Sequence, residues 1–407
     1  MRFALVNLGC KVNRVESDSI AAQLLEAGFE MVDADADVAL VNTCTVTAEA
    51  DRKTRKEVNR AVARNPRAQV LVFGCAALMD ADGLAALSPR VRIVAKDRVA
   101  SECLALAGCA PGAGGGRTRI GEQFPTRVGV KVQDGCDNAC TFCIVHVARG
   151  PARSVAVSQC IDEVSAHARS GVREVVLSGI DLGAYASEGT DLVGLVRSLR
   201  ACAPETRLRI SSIEPQSVSN GLIELLCEEQ GMVCRHLHIP LQSGSDRVLR
   251  DMARRYTAAE FAGLVDRLRS ALPTLSLSTD VIVGFPGETR EEFEESMALV
   301  EACAFSKVHV FRYSKRAGTP AAQRSDQVDP AVKKERAQEM ARLADGLRRS
   351  QARARIGTRE LVLVESPGLG TSESYFTVRL PRFHARGELV ELSLDSWDEQ
   401  GMFVHDE

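Results

Sequence analysis

Short apolar runs alternate with amphipathic segments along most of the chain, an arrangement typical of parallel α/β proteins. Near the amino terminus, three such runs are separated by helical patterns, so we expect a small parallel α/β domain over residues 1–108. The runs are Phe3 to Leu8, Val38 to Asn42 and Val70 to Phe73, and the helical patterns are Ser17 to Ala27 and Ala48 to Arg64.

A glycine-rich stretch, GCAPGAGGGRT, has no apolar period and predicts a linker over residues 109–123. Beyond it, six β-like runs alternate with amphipathic helical patterns. This predicts an incomplete (β/α)6 barrel over residues 124–354, with its site at the carboxyl ends of the strands. The runs are Val128 to Val132, Glu174 to Ser178, Arg207 to Ser212, His236 to Ile239, Leu275 to Val283 and Lys307 to Phe311.

The pattern changes after a charged helical segment, Lys333 to Arg355. Short β runs follow at Leu361 to Glu365, Tyr375 to Leu380 and Leu389 to Leu394, which predict a small β-barrel over residues 355–407. The fold class that we expect is therefore α/β with three parts: a parallel α/β domain, a partial barrel and a small terminal β-barrel.

Composition limits the partners, the location and the cysteine chemistry that we expect for this protein. A net charge of -3 on 407 residues gives no overall attraction to nucleic acid, so RNA contacts would depend on local patches. No stretch approaches the ~20 consecutive apolar residues of a membrane span, and the start lacks an apolar signal segment, so we expect a cytoplasmic protein without membrane contact. Thirteen cysteines are too sparse for a disulfide scaffold, which makes their spacing informative.

Three cysteines form a C-x3-C-x2-C array, Cys136, Cys140 and Cys143, directly after the first strand predicted for the second domain. Thiolates are soft ligands that select iron–sulfur clusters, and three of them leave one iron of a four-iron cluster open for chemistry. The alternative is a structural zinc site, for which His146 would be the fourth ligand. The spacing favours the cluster.

A second set of cysteines is dispersed along the amino-terminal domain. Cys10, Cys44 and Cys75 each follow a predicted parallel strand. Parallel strands share a carboxyl edge, so the three thiols should converge there, although any one of them alone would more often be a core residue. We expect a second metal site at this edge. The other cysteines show no such pattern and are assigned to structure or to incidental surface.

Around these residues the chain resembles the methylthiotransferase family of radical-SAM enzymes. LGCKVNRVESD, NTCTVTAEADRKTR and VFGCAA resemble the family's amino-terminal cluster domain, and HIPLQSGSDRVLRDMARRYT and TDVIVGFPGETREEF resemble its barrel. LGCKVN, NTCTVT and HVFRYSKRAGTPA are most similar to the branch that modifies N6-threonylcarbamoyladenosine beside the tRNA anticodon. The chain departs from the common family pattern at His146 and Val147, where a Pro-Tyr pair is usual, and at RGPARS, which replaces a more basic stretch.

The resemblance implies two [4Fe-4S] clusters and two molecules of S-adenosylmethionine per turnover. The Cys136 array would bind one molecule and cleave it to a radical that activates adenine C2, and the Cys10, Cys44 and Cys75 site would supply the methylated sulfur. It also implies the tRNA anticodon loop as substrate, an electron donor such as flavodoxin or ferredoxin, and the iron–sulfur assembly machinery as partners.

Six residues are expected to contact S-adenosylmethionine. Phe142, between two cluster ligands, resembles the aromatic that packs on the adenine, although it could instead anchor the loop. Ser178 and Gly179 end the second barrel strand, where the methionine moiety should lie. Ser211, Glu214 and Gln242 end the next two strands. Each of them could instead form hydrogen bonds only within its own loop, and Glu214 could instead form a salt bridge.

Two surfaces are candidates for RNA contact. A basic helical pattern follows Cys44. Such a pattern usually indicates a solvent-exposed helix face, and the alternative is a surface that binds RNA phosphates. The terminal part resembles the RNA-binding module called TRAM, whose aromatics could stack on RNA or pack in its core. The residues are Arg52, Lys53, Arg55, Lys56, Arg60 and Arg64 on the helix, and Tyr375, Phe376, Arg379, Arg382 and Arg386 in the terminal part.

Two other functions are possible on sequence grounds. The same chemistry could act on N6-isopentenyladenosine or on a ribosomal-protein side chain. A two-cluster electron-transfer or RNA-binding protein without turnover is the alternative from another class, and it predicts no cleavage of S-adenosylmethionine.

Overall fold

The computed structural model describes residues 1–108 and 126–404 and confirms the α/β fold class. The predicted linker, Cys109 and the chain up to residue 125 lie outside the described residues. The amino-terminal domain is a five-stranded parallel sheet with strand order β2-β1-β3-β4-β5. Its elements are β1 Arg2–Asn7, α1 Lys11–Glu26, β2 Glu30–Met31, β3 Val38–Thr43, α2 Ala48–Arg64, β4 Gln69–Gly74, α3 Cys75–Met79, α4 Ala81–Ala85, β5 Val91–Ile93 and α5 Val99–Leu106.

The central part forms the predicted incomplete barrel. Its six main strands are β6, β9, β12, β13, β14 and β15, in chain order around the barrel, with parallel bridges such as Ser212 to His238 joining the two halves. The elements are β6 Arg127–Lys131, β7 Gln133–Asp134, α6 Val145–Arg149, β8 Arg153–Ser154, α7 Val157–Arg169, β9 Glu174–Ser178, β10 Ala186–Ser187, β11 Thr190–Asp191, α8 Leu192–Cys202, β12 Arg207–Ile210, α9 Asn220–Glu228, β13 His236–His238, α10 Asp246–Asp251, α11 Ala258–Ala271, β14 Ser276–Val283, α12 Arg290–Cys303, β15 Lys307–Arg312, α13 Pro320–Gln323 and α14 Pro330–Arg353.

Side chains alternate across these strands, as the strand period of two requires. Val128, Val130, Val175 and Leu177 pack outward into the main hydrophobic core beneath the helices. Their neighbours in sequence face the barrel lumen. The lumen face of β6 and β9 is therefore mainly polar or small, as at Gly129 and Ser178, with Val176 as an apolar exception.

The barrel has a lateral opening because β6 and β15 do not pair in the described residues. Helix α1 of the amino-terminal domain packs against β6. A Cβ at Gly129 in β6 would lie 2.1 Å from Val15 Cγ2, so only glycine permits this approach. The amino-terminal domain thus closes one side of the lumen.

The carboxyl-terminal part is a six-stranded curled sheet, and it covers the amino end of the central barrel. Arg209 Nη1 and Nη2 each donate a 3.0 Å hydrogen bond to it, to the carbonyls of Glu373 and Ser372, and buried Glu174 accepts from Arg209 Nε at 2.7 Å. The mouth of the barrel is left at the opposite end. The strands are β16 Arg359–Ser366, β17 Leu369–Ser372, β18 Thr377–Arg379, β19 Leu389–Ser393, β20 Ser396–Asp398 and β21 Gly401–Phe403.

Three of these terminal strands, β17, β20 and β21, have no counterpart in the sequence prediction, since each is only three or four residues long. Helix α1 begins at Lys11, six residues before the predicted Ser17. Within the described residues, no helix combines the length and the apolar character that crossing a membrane requires.

Candidate active site

The structure brings Cys10, Cys44 and Cys75 together at one edge of the amino-terminal sheet. They follow the neighbouring strands β1, β3 and β4: Cys10 caps α1, Cys44 begins the loop before α2, and Cys75 is the first residue of α3. Burial raises the pKa of Cys44, and the nearby Cys10 and Cys75 raise it further. We call these three residues the sheet-edge triad.

A glycine keeps this edge open. Gly9 has φ +104°, and a Cβ there would lie 2.8 Å from Cys44 Cβ and 3.0 Å from Cys44 Sγ. Any larger residue at position 9 would therefore overlap Cys44 and fill space beside the triad.

The second set, Cys136, Cys140 and Cys143, lies on the loop between β7 and α6, and we call it the loop triad. Backbone amides point at two of the sulfurs: Asn138 N lies 3.4 Å from Cys136 Sγ, and Val145 N lies 3.4 Å from Cys143 Sγ. Burial raises the pKa of Cys143 to about 11, and Cys140 and Cys136 add to that rise. A bound metal would have to displace the thiol protons.

The donor chemistry of both triads suits an iron–sulfur cluster. The sulfurs within each triad are close enough to perturb one another's pKa. Three soft thiolates in each site are the kind of donor set that binds such a cluster.

A cavity of about 170 Å³ at the barrel mouth is lined by residues from both sides. Val46 and Thr47 follow Cys44 on one side, and Phe142 and Cys143 belong to the loop triad on the other. Gln242, with φ +67°, also lines this mouth cavity, together with Asp280. Phe142 and Gln242 thus line the same cavity, and their contact with S-adenosylmethionine stays a prediction.

The other expected cofactor contacts are dispersed. Ser178 faces a different cavity, described below, and its Oγ lies 3.3 Å from the carbonyl of Val176. Gly179 packs against Gln133 in front of the loop triad, where an added Cβ would lie 2.9 Å from Gln133 Oε1. Ser211 is buried. The roles of these residues stay predictions.

Glu214 is paired with an arginine that sequence reasoning missed. Arg254 donates to the Glu214 carboxylate and, through Nη1, to Cys140 Sγ at 3.3 Å. Burial raises the pKa of Glu214, and the charge of Arg254 offsets part of that rise.

A second residue that sequence reasoning missed, Arg149, ends the helix after the loop triad. It is buried and donates to Asp134 Oδ1 at 2.8 Å and Glu16 Oε1 at 3.1 Å, and its charge lowers the pKa of Cys75 against the effect of burial.

Polar side chains continue from the mouth down the inner wall of the barrel. His238 Nε2 lies 3.3 Å from Asp280 Oδ2, and His238 Nδ1 lies 3.0 Å from Ser278 Oγ. His309 lies beside them, with its ring 5.7 Å from that of His238. Burial lowers the pKa of His309, so its ring is neutral near neutral pH.

The structure corrects part of the expected RNA surface. Phe376 is in the terminal core, as the core alternative has it, whereas Tyr375 turns into the central lumen, where its ring centroid lies 4.9 Å from that of His236. Arg379 pairs with Asp398, and Arg386 also has a partner within the chain. Arg382 is exposed beside Phe383, which the sequence analysis overlooked and which is 77% exposed.

On α2 the six predicted cations are all exposed. Arg55 pairs with Asp80, and Arg60 pairs with Glu57. Arg52, Lys53, Lys56 and Arg64 form no ion pair with residues that the structure describes. These four remain available to RNA phosphates.

Comparison with known proteins agrees with this geometry. The Radical SAM superfamily model matches residues 130–300, and the model described as Uncharacterized protein family UPF0004 matches residues 2–96. Threonylcarbamoyladenosine tRNA methylthiotransferase MtaB of Bacillus subtilis is 39% identical, over 86% of this chain and 81% of its own. The tRNA-2-methylthio-N(6)-dimethylallyladenosine synthase of Mycolicibacterium gilvum is 34% identical, over 96% and 81%.

Among solved structures, the radical S-adenosylmethionine methyltransferase TsrM from Kitasatospora setae shares the fold, with a TM-score of 0.58 and 16% identity, over 79% of this chain and 77% of that one. Both halves of the site match a family model, and the curated relatives extend across most of the chain. The chain therefore belongs to the radical-SAM methylthiotransferase family.

Proposed function

We propose that this enzyme converts N6-threonylcarbamoyladenosine at position 37 of tRNA to its 2-methylthio derivative. The main support is the mouth cavity, because residues adjacent to both cysteine triads line it. A substrate base in this cavity would contact both sides at once. The relative from Bacillus subtilis, which carries the threonylcarbamoyladenosine name, supports this choice of base.

The loop triad would hold one [4Fe-4S] cluster and the sheet-edge triad a second. When bound, the two clusters and S-adenosylmethionine supply the radical that activates adenine C2 and the methylated sulfur that replaces its hydrogen. The protein contributes soft thiolate donors, three in each site, and leaves one iron of each cluster for other ligands.

Arg254 and Glu214 suit the amino-acid end of S-adenosylmethionine. The guanidinium, which lies beside Cys140, offers donors to a carboxylate, and the Glu214 carboxylate paired with it offers acceptors to an ammonium. Phe142 and Gln242 would pack against and orient the remainder in the mouth cavity. Arg254 and Glu214 are largely shielded from water, which strengthens their electrostatic contacts with a ligand.

Arg149 would hold the two triads in register. Its helix begins directly after the loop triad, and its side chain reaches Glu16 on α1, the helix that follows Cys10. Fixed geometry of this kind matters because displacements of about 1 Å between reacting groups can cost about 100-fold in rate.

The proposed substrate and partners follow from this chemistry. The anticodon loop would approach across α2, where unpaired cations neutralise phosphates. The reaction needs a cytoplasmic electron donor such as flavodoxin or ferredoxin, and the clusters need the iron–sulfur assembly machinery.

The test is nucleoside mass spectrometry on tRNA from a host that lacks the activity, with and without this gene. We expect the 2-methylthio form of threonylcarbamoyladenosine to appear, and to be lost in Cys10→Ala and Cys140→Ala but kept in Cys202→Ala, which lies outside both triads. A methylthio group only on isopentenyladenosine would move the substrate assignment. A protein that binds iron but never cleaves S-adenosylmethionine would instead be an electron carrier or a binding protein.

A further inference from the structure

A second cavity, of about 320 Å³, lies where α1 closes the lateral opening of the barrel. Its inner wall is the lumen face of β6 and β9, and its other walls come from α1 and the terminal barrel. We call it the lateral cavity. Its polar lining residues are Lys11, Arg14, Asp18, Arg127, Ser178 and Tyr375.

Tyr375 forms the floor of this cavity. It has φ +70° in the turn before β18, and its ring enters the lumen from the terminal barrel. Three cations surround the ring: Arg209 at 4.7 Å, and Lys11 and Arg127 at 5.5 Å from its centroid. The floor is therefore strongly cationic.

Most cations of this region have carboxylate partners. Arg127 pairs with Glu365 at 2.8 Å, Arg14 pairs with Asp18 at 2.8 Å, and Arg209 pairs with Glu174. Lys11 differs from them. Among residues 1–108 and 126–404 it forms no hydrogen bond and no ion pair, and its one contact through the ammonium is with the Tyr375 ring.

The Lys11 side chain remains accessible although protein surrounds it, because the lateral cavity is open. The Tyr375 ring attracts this ammonium, and a bound anion would stabilise it further, because the carboxylates of this region are already paired with arginines. The lateral cavity thus has room, an unpaired charge and an excess of positive charge, which together define a site for a carboxylate or another small anion.

Lys11 is also next to the chemistry. It follows Cys10 directly, on the first turn of α1. In adenine, C2 and C6 flank the same ring nitrogen, so a base that presents C2 to the sheet-edge triad keeps its N6 substituent close to that triad and to Lys11. The threonylcarbamoyl substituent ends in a carboxylate, whereas an isopentenyl substituent has no charge.

We propose that Lys11 selects the substrate by pairing its ammonium with the carboxylate of the N6-threonylcarbamoyl group in the lateral cavity. This inference rests on the proposed function, since it names the residue that distinguishes threonylcarbamoyladenosine from other adenosines. Tyr375 and Ser178 complete the cavity and offer hydroxyl groups to the same substituent.

The experiment compares two anticodon stem-loop RNAs, one with threonylcarbamoyladenosine at position 37 and one with unmodified adenosine. Their affinities for the reconstituted enzyme with S-adenosylmethionine are measured anaerobically by fluorescence anisotropy. Wild type should prefer the modified RNA. Lys11→Met should weaken binding of the modified RNA by about 10- to 100-fold, the range of one charge-assisted hydrogen bond, and leave the unmodified RNA unchanged.

Lys334→Met is the matched control, because Lys334 is an exposed lysine on α14 that lines neither the lateral cavity nor the mouth cavity, and it should keep the wild-type preference. Lys11→Arg should retain most of it. A Lys11→Met variant that keeps the wild-type ratio of affinities overturns the proposal. So does one that weakens both RNAs equally and loses about half its iron, since Lys11 would then only support the Cys10 site.

These outcomes are separate from failure of the proposed function. If wild type adds the methylthio group to the modified RNA while Lys11→Met keeps the preference, only the role of Lys11 is lost. If wild type acts on a different adenosine and binds the two RNAs equally, the proposed function itself is wrong.

Discussion

Arg149 Nη2 donates a 2.5 Å hydrogen bond to Asn13 Oδ1, which joins the helix after the loop triad to the helix after Cys10. Asn13 Nδ2 in turn donates to the carbonyls of Leu8 and Thr43, at the ends of two strands that precede triad cysteines. A single arginine therefore links the loop triad to the backbone that shapes the sheet-edge triad.

We expect Arg149→Gln to separate the two halves of the reaction. S-adenosylmethionine cleavage should fall little, while methylthiolation should fall by about 100-fold because the sheet-edge triad loses its alignment. Quantifying deoxyadenosine and modified nucleoside in the same reaction tests this. Arg153→Gln is the control, since Arg153 is half exposed and reaches Asp134 only at 3.7 Å. An equal loss of both products would contradict the alignment role.

Gly9→Ala should remove the cluster of the sheet-edge triad and leave the other. The added Cβ would overlap Cys44 in a backbone conformation that favours glycine, so we expect the iron content after reconstitution to fall to about half. Gly28→Ala is matched to it: Gly28 also has positive φ, but an added Cβ meets nothing within 4 Å. Full iron content in Gly9→Ala would show that the triad has more room than this structure gives it.

Phe383→Ala should weaken RNA binding by about 5- to 100-fold, the range for loss of one stacked base. Its ring is 77% exposed and Arg382 beside it is exposed too, whereas Tyr375 and Phe376 are turned inward. Leu369→Ala, at an exposed apolar residue of the same sheet, is the control. Anisotropy titrations over several salt concentrations measure both variants. An unchanged affinity in Phe383→Ala would exclude stacking at this position.

Glu174→Gln should change acid stability. Burial alone would raise the pKa of Glu174, but Arg207 and Arg209 outweigh it and lower the pKa from its ordinary 4.5 to about 2. The ionised carboxylate thus stabilises the fold above pH 4.5, and this stabilisation is lost as the pH falls from 4.5 toward 2. The variant should lose about 3–5 kcal/mol at neutral pH and show a flatter pH dependence in this window.

Urea unfolding at a series of pH values measures this effect. Glu205→Gln, which removes an exposed partner of Arg173, should cost less than about 1 kcal/mol. A Glu174→Gln variant as stable as wild type at neutral pH would mean that the two arginines find other acceptors.

The sequence predicted those features that depend on local pattern. Apolar runs such as Val38 to Asn42 correspond to real strands because both faces of a parallel sheet are buried. The meeting of Cys10, Cys44 and Cys75 was also predictable, since the carboxyl ends of adjacent parallel strands share an edge. Strands as short as β20 carry too few residues for a pattern to be visible.

Features that depend on distant partners were not predictable. Arg254 approaches Cys140 from more than a hundred residues away, and Arg149 approaches Asn13 from a similar distance. For Tyr375 the sequence leaves RNA stacking and packing in the terminal barrel as alternatives, and the structure places its ring in the central lumen beside His236 and Arg209 instead. Its position follows from the docking of the terminal barrel, which single-sequence patterns do not encode.

Tyr375 lies far behind both cysteine triads in the order of synthesis. The ribosome makes this residue after both cysteine triads, so the floor of the lumen is missing until the terminal barrel has been synthesised. A chain that is stalled or cut before the terminal barrel would carry all six triad cysteines but would expose Glu174 and its two arginines to water. Such a chain would keep both cysteine triads but lack the floor of the lateral cavity.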